Sequence, residues 1–181
     1  MKTSFKPFPV LETENLILRK LQETDAFDLF EIRSNPEMYD FIDGKADEVL
    51  DDTIRFIKLT NKGIDKQKWI HFGIEYKHNK KLIGTINLWN FDYSVSKAEG
   101  GFSLNPSYQR KGLMVEALKK VIDYGFYDMD LEKIELWTEK NNERTINLAN
   151  KCKFCYKEQV FEKGYYKNKI FNYVIYELKK M

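Results

Sequence analysis

The feature that most constrains this chain is a change of hydrophobic period across its middle. Ala98 to Leu104 reads as a strand closed by Asn105-Pro106, and Lys133 to Thr138 alternates Ile134, Leu136 and Thr138 as a second strand. Between them, Met114 to Phe126 sets Val115, Leu118, Val121, Ile122, Gly125 and Phe126 on one helical face. A strand, a helix and a strand in succession require a parallel pair joined by a crossover. The flanking segments favour antiparallel pairing. Trp69–Tyr76 and Leu82–Trp89 meet across the polar turn His78-Asn79-Lys80-Lys81, and Phe154–Phe161 and Ile170–Leu178 across Lys163-Gly164. Upstream, Asn15–Arg19 is a first strand. Thr24-Asp25 caps a helix carrying Ala26, Phe27, Leu29, Phe30 and Ile32, which ends near Asn35-Pro36. Asp47–Asn61 is a second helix, with Val49, Leu50, Thr53, Ile54 and Ile57 as its stripe and Gly63 just past its end. Glu143–Lys151 is a short one. The predicted class is α/β: a mixed, mostly antiparallel sheet with a central parallel strand pair and helices on both faces.

At 181 residues, with no repeat or linker, the chain reads as a single domain over residues 1–181. The 30 basic and 28 acidic side chains leave a net charge of +2, without the basic stripe of a nucleic-acid binder. No window is apolar enough to span a membrane, and the opening MKTSFKPFPV is no signal peptide. Two cysteines, Cys152 and Cys155, are too few for a disulfide-stapled secreted fold. The expectation is a soluble, cytoplasmic protein.

The chemistry concentrates in Gly101–Glu116, G-F-S-L-N-P-S-Y-Q-R-K-G-L-M-V-E. A strand runs into the polar loop Gln109-Arg110-Lys111-Gly112, which opens directly into a helix. The first N–H groups of a helix lack internal partners, and its dipole is positive at that end. Gly112 leaves the backbone bare, and Arg110 and Lys111 add charge. The loop is therefore built for a phosphate, though it matches neither the Walker loop nor the dinucleotide glycine pattern.

This run resembles motif A of the GNAT superfamily of N-acetyltransferases, and more narrowly the RimJ/RimL-type branch. Leu11–Arg19 (L-E-T-E-N-L-I-L-R) is similar to that branch's opening. So are Leu82-Ile83-Gly84, and Asn142-Glu143-Arg144-Thr145 followed by Lys151-Cys152-Lys153-Phe154. Met114, Thr145 and Lys153 stand where the family pattern has Gly or Ala, Ser, and Gly. The resemblance implies a central parallel pair that splays, with the pantetheine arm of acetyl-CoA lying in the V. Phe102, Ser103 and Leu104 would line it, the N–H near Leu104 facing the thioester oxygen where negative charge develops. Gln109, Arg110, Lys111, Gly112, Leu113, Met114 and Val115 would hold the pyrophosphate. Asn142 would hydrogen-bond the pantetheine, and Thr145 would protonate the leaving thiolate. The Tyr that many members carry four residues later is here Ala149, so Thr145 or water must serve as the acid. Acetyl-CoA is then the co-substrate, and a primary amine the acceptor, either a small cationic molecule or a protein N-terminus of ribosomal type. The alternative is a catalytically silent acyl-CoA-binding or regulatory module.

An ammonium must lose a proton before it attacks, so a base is needed. Glu99 is the first candidate by family position and Glu162 the second, each against the reading of an ordinary carboxylate. Glu37 to Asp52 holds seven acids (Glu37, Asp40, Asp43, Asp47, Glu48, Asp51, Asp52) and one base, Lys45. Some favour a helix start. In the family this link borders the acceptor groove, so Asp40 and Asp43 are candidate acceptor-binding residues. His71 reads as a strand position, with a substrate contact as the alternative. Trp89, Phe91 and Tyr93 read as core or a homodimer contact, with an aromatic wall for the acceptor as the alternative. Cys152 and Cys155 follow a helix C-terminus, not the N-terminus a redox pair prefers, and read as structural thiols. Two His without clustered ligands predict no metal site.

Overall fold

A computed structural model describes residues 5–181; the first four residues of the opening segment lie outside the described residues. Eight strands form one sheet in the order β1-β2-β3-β4-β5-β6-β8-β7. They are β1 (Leu11–Glu12), β2 (Leu16–Arg19), β3 (Ile70–Tyr76), β4 (Lys81–Asp92), β5 (Lys97–Leu104), β6 (Lys133–Glu139), β7 (Cys155–Lys163) and β8 (Ile170–Lys179). Among the described residues β5 and β6 are the parallel pair, and every other pairing is antiparallel. The helices are α1 (Ala26–Arg33), α2 (Leu50–Asp65), α3 (Leu113–Asp123) and α4 (Glu143–Lys151).

The two faces of the sheet follow from strand alternation. Ile70, Phe72 and Ile74 of β3, Ile86 and Leu88 of β4, and Ala98 and Leu104 of β5 bury against Ala117, Leu118 and Val121 of α3 and Leu148 and Ala149 of α4. This α3 face is the main core. The other face receives α1 and α2 through Leu21, Ala26, Leu29, Ile32, Ile57 and Leu82. Helices thus pack on both faces, as the periodicity predicts.

Several boundaries differ from the sequence reading, and three of the differences bear on the packing. Gly63 lies inside α2, because a Cβ there would stand 2.0 Å from the Trp69 ring. It is a packing glycine, not a helix stop. The third helix leaves the α geometry at Asp123 and finishes as a π-turn, Tyr124–Asp128. Gly125 is buried there against Leu88, Leu131 and Ile134. The two-residue β1 pairs with β2 in a register too short to leave a periodic signal.

Lys153, standing where the pattern it resembles has Gly, makes the turn after α4. Its φ is 65°, in the left-handed region that costs an L-residue about 1–2 kcal/mol. Lys153→Gly relieves that strain but gives the unfolded chain more freedom. We expect a net gain of about 0.5–1 kcal/mol, read as a rise in thermal midpoint. An unchanged or lower midpoint would show that the turn is unstrained.

Candidate active site

The parallel pairing is short. β5 and β6 are in register from Lys97↔Lys133 to Gly100↔Leu136, and there it ends. β5 runs on to Leu104 along β4, and β6 to Glu139 along β8. A V opens between them. The Asn105 N–H donates to the Ile83 carbonyl at 2.8 Å, on the β4 side. Successive N–H groups of an extended strand alternate in direction. The N–H groups of Leu104 and Phe102 therefore face into the V. The Leu104 carbonyl faces the same way and accepts from Gln109 Nε2 at 3.1 Å.

The V leads to the start of α3. Gly112 is the N-cap, with φ 80° and no atom within 4 Å of where a Cβ would be. Arg110 is also left-handed, at φ 62°. The loop thus winds so that the bare N-terminus of an amphipathic helix faces open space, the arrangement that binds anions. A cleft of about 810 Å³ follows the V and this loop. Of the residues expected to hold the donor, it gathers Phe102, Ser103, Leu104, Gln109, Arg110, Gly112, Leu113, Met114, Val115, Asn142 and Thr145.

Lys111 is the exception. It does not line the cleft, and its ammonium lies 5.2 Å from the centre of the Tyr108 ring. Arg144 lines the cleft instead and donates to Gln109 Oε1 at 3.3 Å. Gln109 is thereby a bracket between the end of β5 and α4. Arg144 was visible in the sequence only as part of a motif. Its place opposite the loop 109–112 depends on how α4 docks.

Asn142 is the N-cap of α4, its Oδ1 accepting the Thr145 N–H at 3.3 Å. The cap of α4 is thus Asn142, and the Thr145 hydroxyl does not serve as one. Thr145 is half-buried and lines the cleft.

Glu99 lies on the opposite face from α3, in register with Trp89 and Glu135, and outside the cleft lining. It is 8% exposed and accepts from Asn90 Nδ2 at 2.5 Å. Burial raises its pKa above the usual carboxylate value, against the Asn90 hydrogen bond and Lys97. Its neighbour Glu135 is driven the other way. Burial pushes its pKa up, but donors from Lys157, Lys97 and Trp137 at 2.9–3.1 Å outweigh it. Glu162 is exposed on β7.

The acidic stretch separates into distinct jobs. Asp47 is buried against Arg33 and accepts from Thr53. Asp52 accepts from the N–H groups of Glu48 and Val49 at the start of α2. Asp43 corrects the expectation of a rim carboxylate, since it does not line the cleft. It accepts the backbone N–H groups of Tyr165, Tyr166 and Lys167, clasping the α1–α2 link to the tip of the β7–β8 hairpin. Burial pushes its pKa up, yet these donors hold it below the usual value. Glu37 and Asp40 do line the cleft, beside Phe41 and Ile42.

His71 is 8% exposed, with its ring 5.8 Å from that of Phe56 on α2. Burial, then the charge of Arg33, lower its pKa from 6.5 to about 4. The folded protein thus keeps this imidazole neutral where the unfolded chain would protonate it. That contribution is full above about pH 6.5 and is lost as pH falls toward 4, amounting to about 3 kcal/mol at most. We expect His71→Phe to flatten stability against pH over that window in urea titrations. An unchanged slope would mean that His71 already titrates normally in the fold.

Cys152 is buried with its thiol pKa raised by desolvation, Cys155 is exposed, and both are free. Among the described residues no cluster of His, Cys, Asp or Glu could hold a metal, and no helix is long and apolar enough to cross a membrane.

The cleft is thus a splayed parallel pair ending at a bare helix N-terminus. Residues 15–155 match the family model described as an acetyltransferase (GNAT) domain, and the chain belongs to that family. It is 32% identical over 161 residues to the uncharacterized N-acetyltransferase YoaA of Bacillus subtilis, covering 89% of this chain and 90% of that protein. Two solved structures share the fold. One is spermidine N-acetyltransferase from Vibrio cholerae in complex with CoA and spermine, with TM-score 0.78, 23% identity, and 92% and 96% of the two chains covered. The other is ribosomal-protein-S5-alanine acetyltransferase from Vibrio fischeri, with TM-score 0.81, 18% identity, and 94% and 96% covered.

Proposed function

We propose that the protein moves an acetyl group from acetyl-CoA to a cationic primary amine by direct attack within a ternary complex. The observation that carries this reading is the V whose two inward N–H groups run into the bare N-terminus of α3. An extended pantetheine arm pairs with β5 there as an added strand, and the pyrophosphate meets the N–H groups of residues 110–115. Arg110 and Arg144 supply charge. Asn142 keeps its Nδ2 for the pantetheine while its Oδ1 caps α4.

The chemistry follows from the same placement. The N–H of Leu104, with that of Phe102 beside it, stabilises the oxygen that becomes negative as nitrogen bonds to the thioester carbon. The C–S bond then breaks, and the Thr145 hydroxyl protonates the sulfur. Glu99 takes the amine proton. Burial raises its pKa, which makes it a stronger base than an ordinary carboxylate, and it stands on the face from which the amine arrives. Neither a Ser–His nor a Cys–His pair forms in the cleft, so no acyl-enzyme is invoked.

Relatives with either kind of acceptor share this fold, and both acceptors present a positive nitrogen. Glu37 and Asp40 supply the complementary rim. Thiol release from acetyl-CoA, assayed with polyamines and with N-terminal peptides, tests the activity and separates the two. Acetyl-CoA binding without amine-dependent release would instead identify a silent binding module. Asp40→Asn should raise the acceptor KM severalfold at low salt and less at high salt, leaving acetyl-CoA affinity alone. A KM that stays put at both ionic strengths would return Asp40 to the solvated surface.

A further inference from the structure

Two buried polar atoms without hydrogen-bond partners, His71 Nε2 and Asn87 Oδ1, belong to adjacent side chains. The residues face each other across β3 and β4, and the Asn87 amide nitrogen lies 3.3 Å from His71 Nδ1. With the amide N–H as donor, Nδ1 accepts, the imidazole carries its proton on Nε2, and the amide oxygen turns toward β5. Asn87 is in register with Gly101 there. Its Oδ1 stands 2.9 Å from where a Cβ on Gly101 would be, so only a residue without a side chain lets the amide lie on the strand. Gly101 is the first residue beyond the last β5–β6 pair and precedes Phe102. The unpartnered oxygen therefore lies over β5 beside the point where the V opens, outside the cleft lining itself.

It sits there on the face that matters for attack. A thioester carbonyl bonded to N–H groups of β5 lies close to the plane of the sheet. A nucleophile reaches a trigonal carbon from above or below that plane. The α3 face is closed by α3 and by Leu148 and Ala149 of α4. The α2 face at this point presents Asn87, Ser103 and Glu99, with Ser103 Oγ 3.0 Å from Thr85 Oγ1.

We propose that Asn87 is the hydrogen-bond acceptor that holds the attacking amine, and that His71 is the positioning residue that aims it. This rests on the reading of the V as the thioester site. The amine that attacks is neutral, with its lone pair toward the carbonyl carbon and its N–H groups toward acceptors. An amide oxygen holds such an N–H without stabilising the ammonium, as a carboxylate in its place would. A neutral His71 likewise does not repel the arriving cation. The other charges around His71 leave that state intact: Arg33 of α1 stacks on Phe56 and is paired with Asp47, and Lys97 neighbours Glu99 on β5. Asn87 takes no proton. As the C–N bond forms and the C–S bond breaks, the amine proton leaves to the base and the sulfur gains one, giving an amide and free thiol.

The test uses the full chain, acetyl-CoA and the best amine from the thiol-release screen. Asn87→Ala should lower kcat about 10- to 100-fold with the acetyl-CoA Kd within about twofold of wild type. Asn87→Asp, nearly isosteric, should move the acidic limb of the kcat–pH profile up by about one unit, because a carboxylate stabilises the bound ammonium. His71→Phe should lower kcat less, by about three- to tenfold, with that limb unmoved. A purely structural role would lower the melting midpoint of Asn87→Ala but leave the Asp variant's limb in place. That outcome, or a kcat within twofold of wild type in both Asn87 variants, overturns the proposal. Loss of acetyl-CoA binding in the wild-type protein would instead overturn the reading of the V.

Discussion

Gly112→Glu is expected to abolish acetyl-CoA binding in a protein that still folds. Two effects add, and they are separable. Gly112 has φ 80°, so any side chain strains the N-cap of α3 by about 1–2 kcal/mol. No atom lies within 4 Å of the new Cβ, so the strain is conformational and not steric. Gly112→Ala therefore measures the strain by itself. We expect it to lower the melting midpoint modestly and to weaken acetyl-CoA binding by no more than about tenfold. The Glu variant adds a carboxylate where the pyrophosphate is proposed to meet the α3 dipole and the free N–H groups, and it competes for the same donors. Calorimetry on both variants, beside their melting curves, checks this. A folded Gly112→Glu protein with wild-type affinity would move the phosphate away from the start of α3.

The central crossover was legible because a period of two, then a helical period, then two again leaves one sensible pairing. The bare helix start at Gly112 was legible because its features are local: a loop, a glycine and a helix start within a few residues. What stayed hidden is what depends on docking. Glu116 of the motif run accepts from both the backbone N–H and the side-chain amide of Asn15, at 2.7 and 3.0 Å, tying α3 to the start of β2. Nothing local announces a partner 101 positions away. The same holds for Asp43. In the sequence it is one acid among seven, and only the return of the β7–β8 hairpin turns it into a clasp. His71 and Asn87 looked like ordinary strand residues. Their unpartnered atoms become visible once β3, β4 and β5 are in register. Gly63 misled for a related reason, since a helix-ending residue and a helix-packing residue are the same letter until Trp69 folds back on it.

Thr145→Ala is expected to lower kcat by on the order of ten- to a thousandfold, with little change in acetyl-CoA affinity. The proposed work of the hydroxyl falls at the moment the sulfur leaves, so its loss raises the barrier without loosening the ground state. The cleft places Thr145 beside Asn142 and Leu148 on α4, facing the V. The competing explanation, a lost helix cap, costs roughly 0.5–2 kcal/mol where it applies. Here it has little room, because the cap is Asn142 and its bond runs to the Thr145 backbone N–H, which alanine retains. The melting midpoint of Thr145→Ala should therefore stay close to wild type while kcat falls. Thr145→Ser restores a hydroxyl at the same Cβ and should retain most of the activity. Asn142→Ala provides the contrast: it removes the cap, lowers the midpoint, and also removes the proposed pantetheine contact, so its loss should appear in acetyl-CoA affinity as well. If Thr145→Ala melts lower and turns over at the wild-type rate, the residue is structural and the thiolate takes its proton from water.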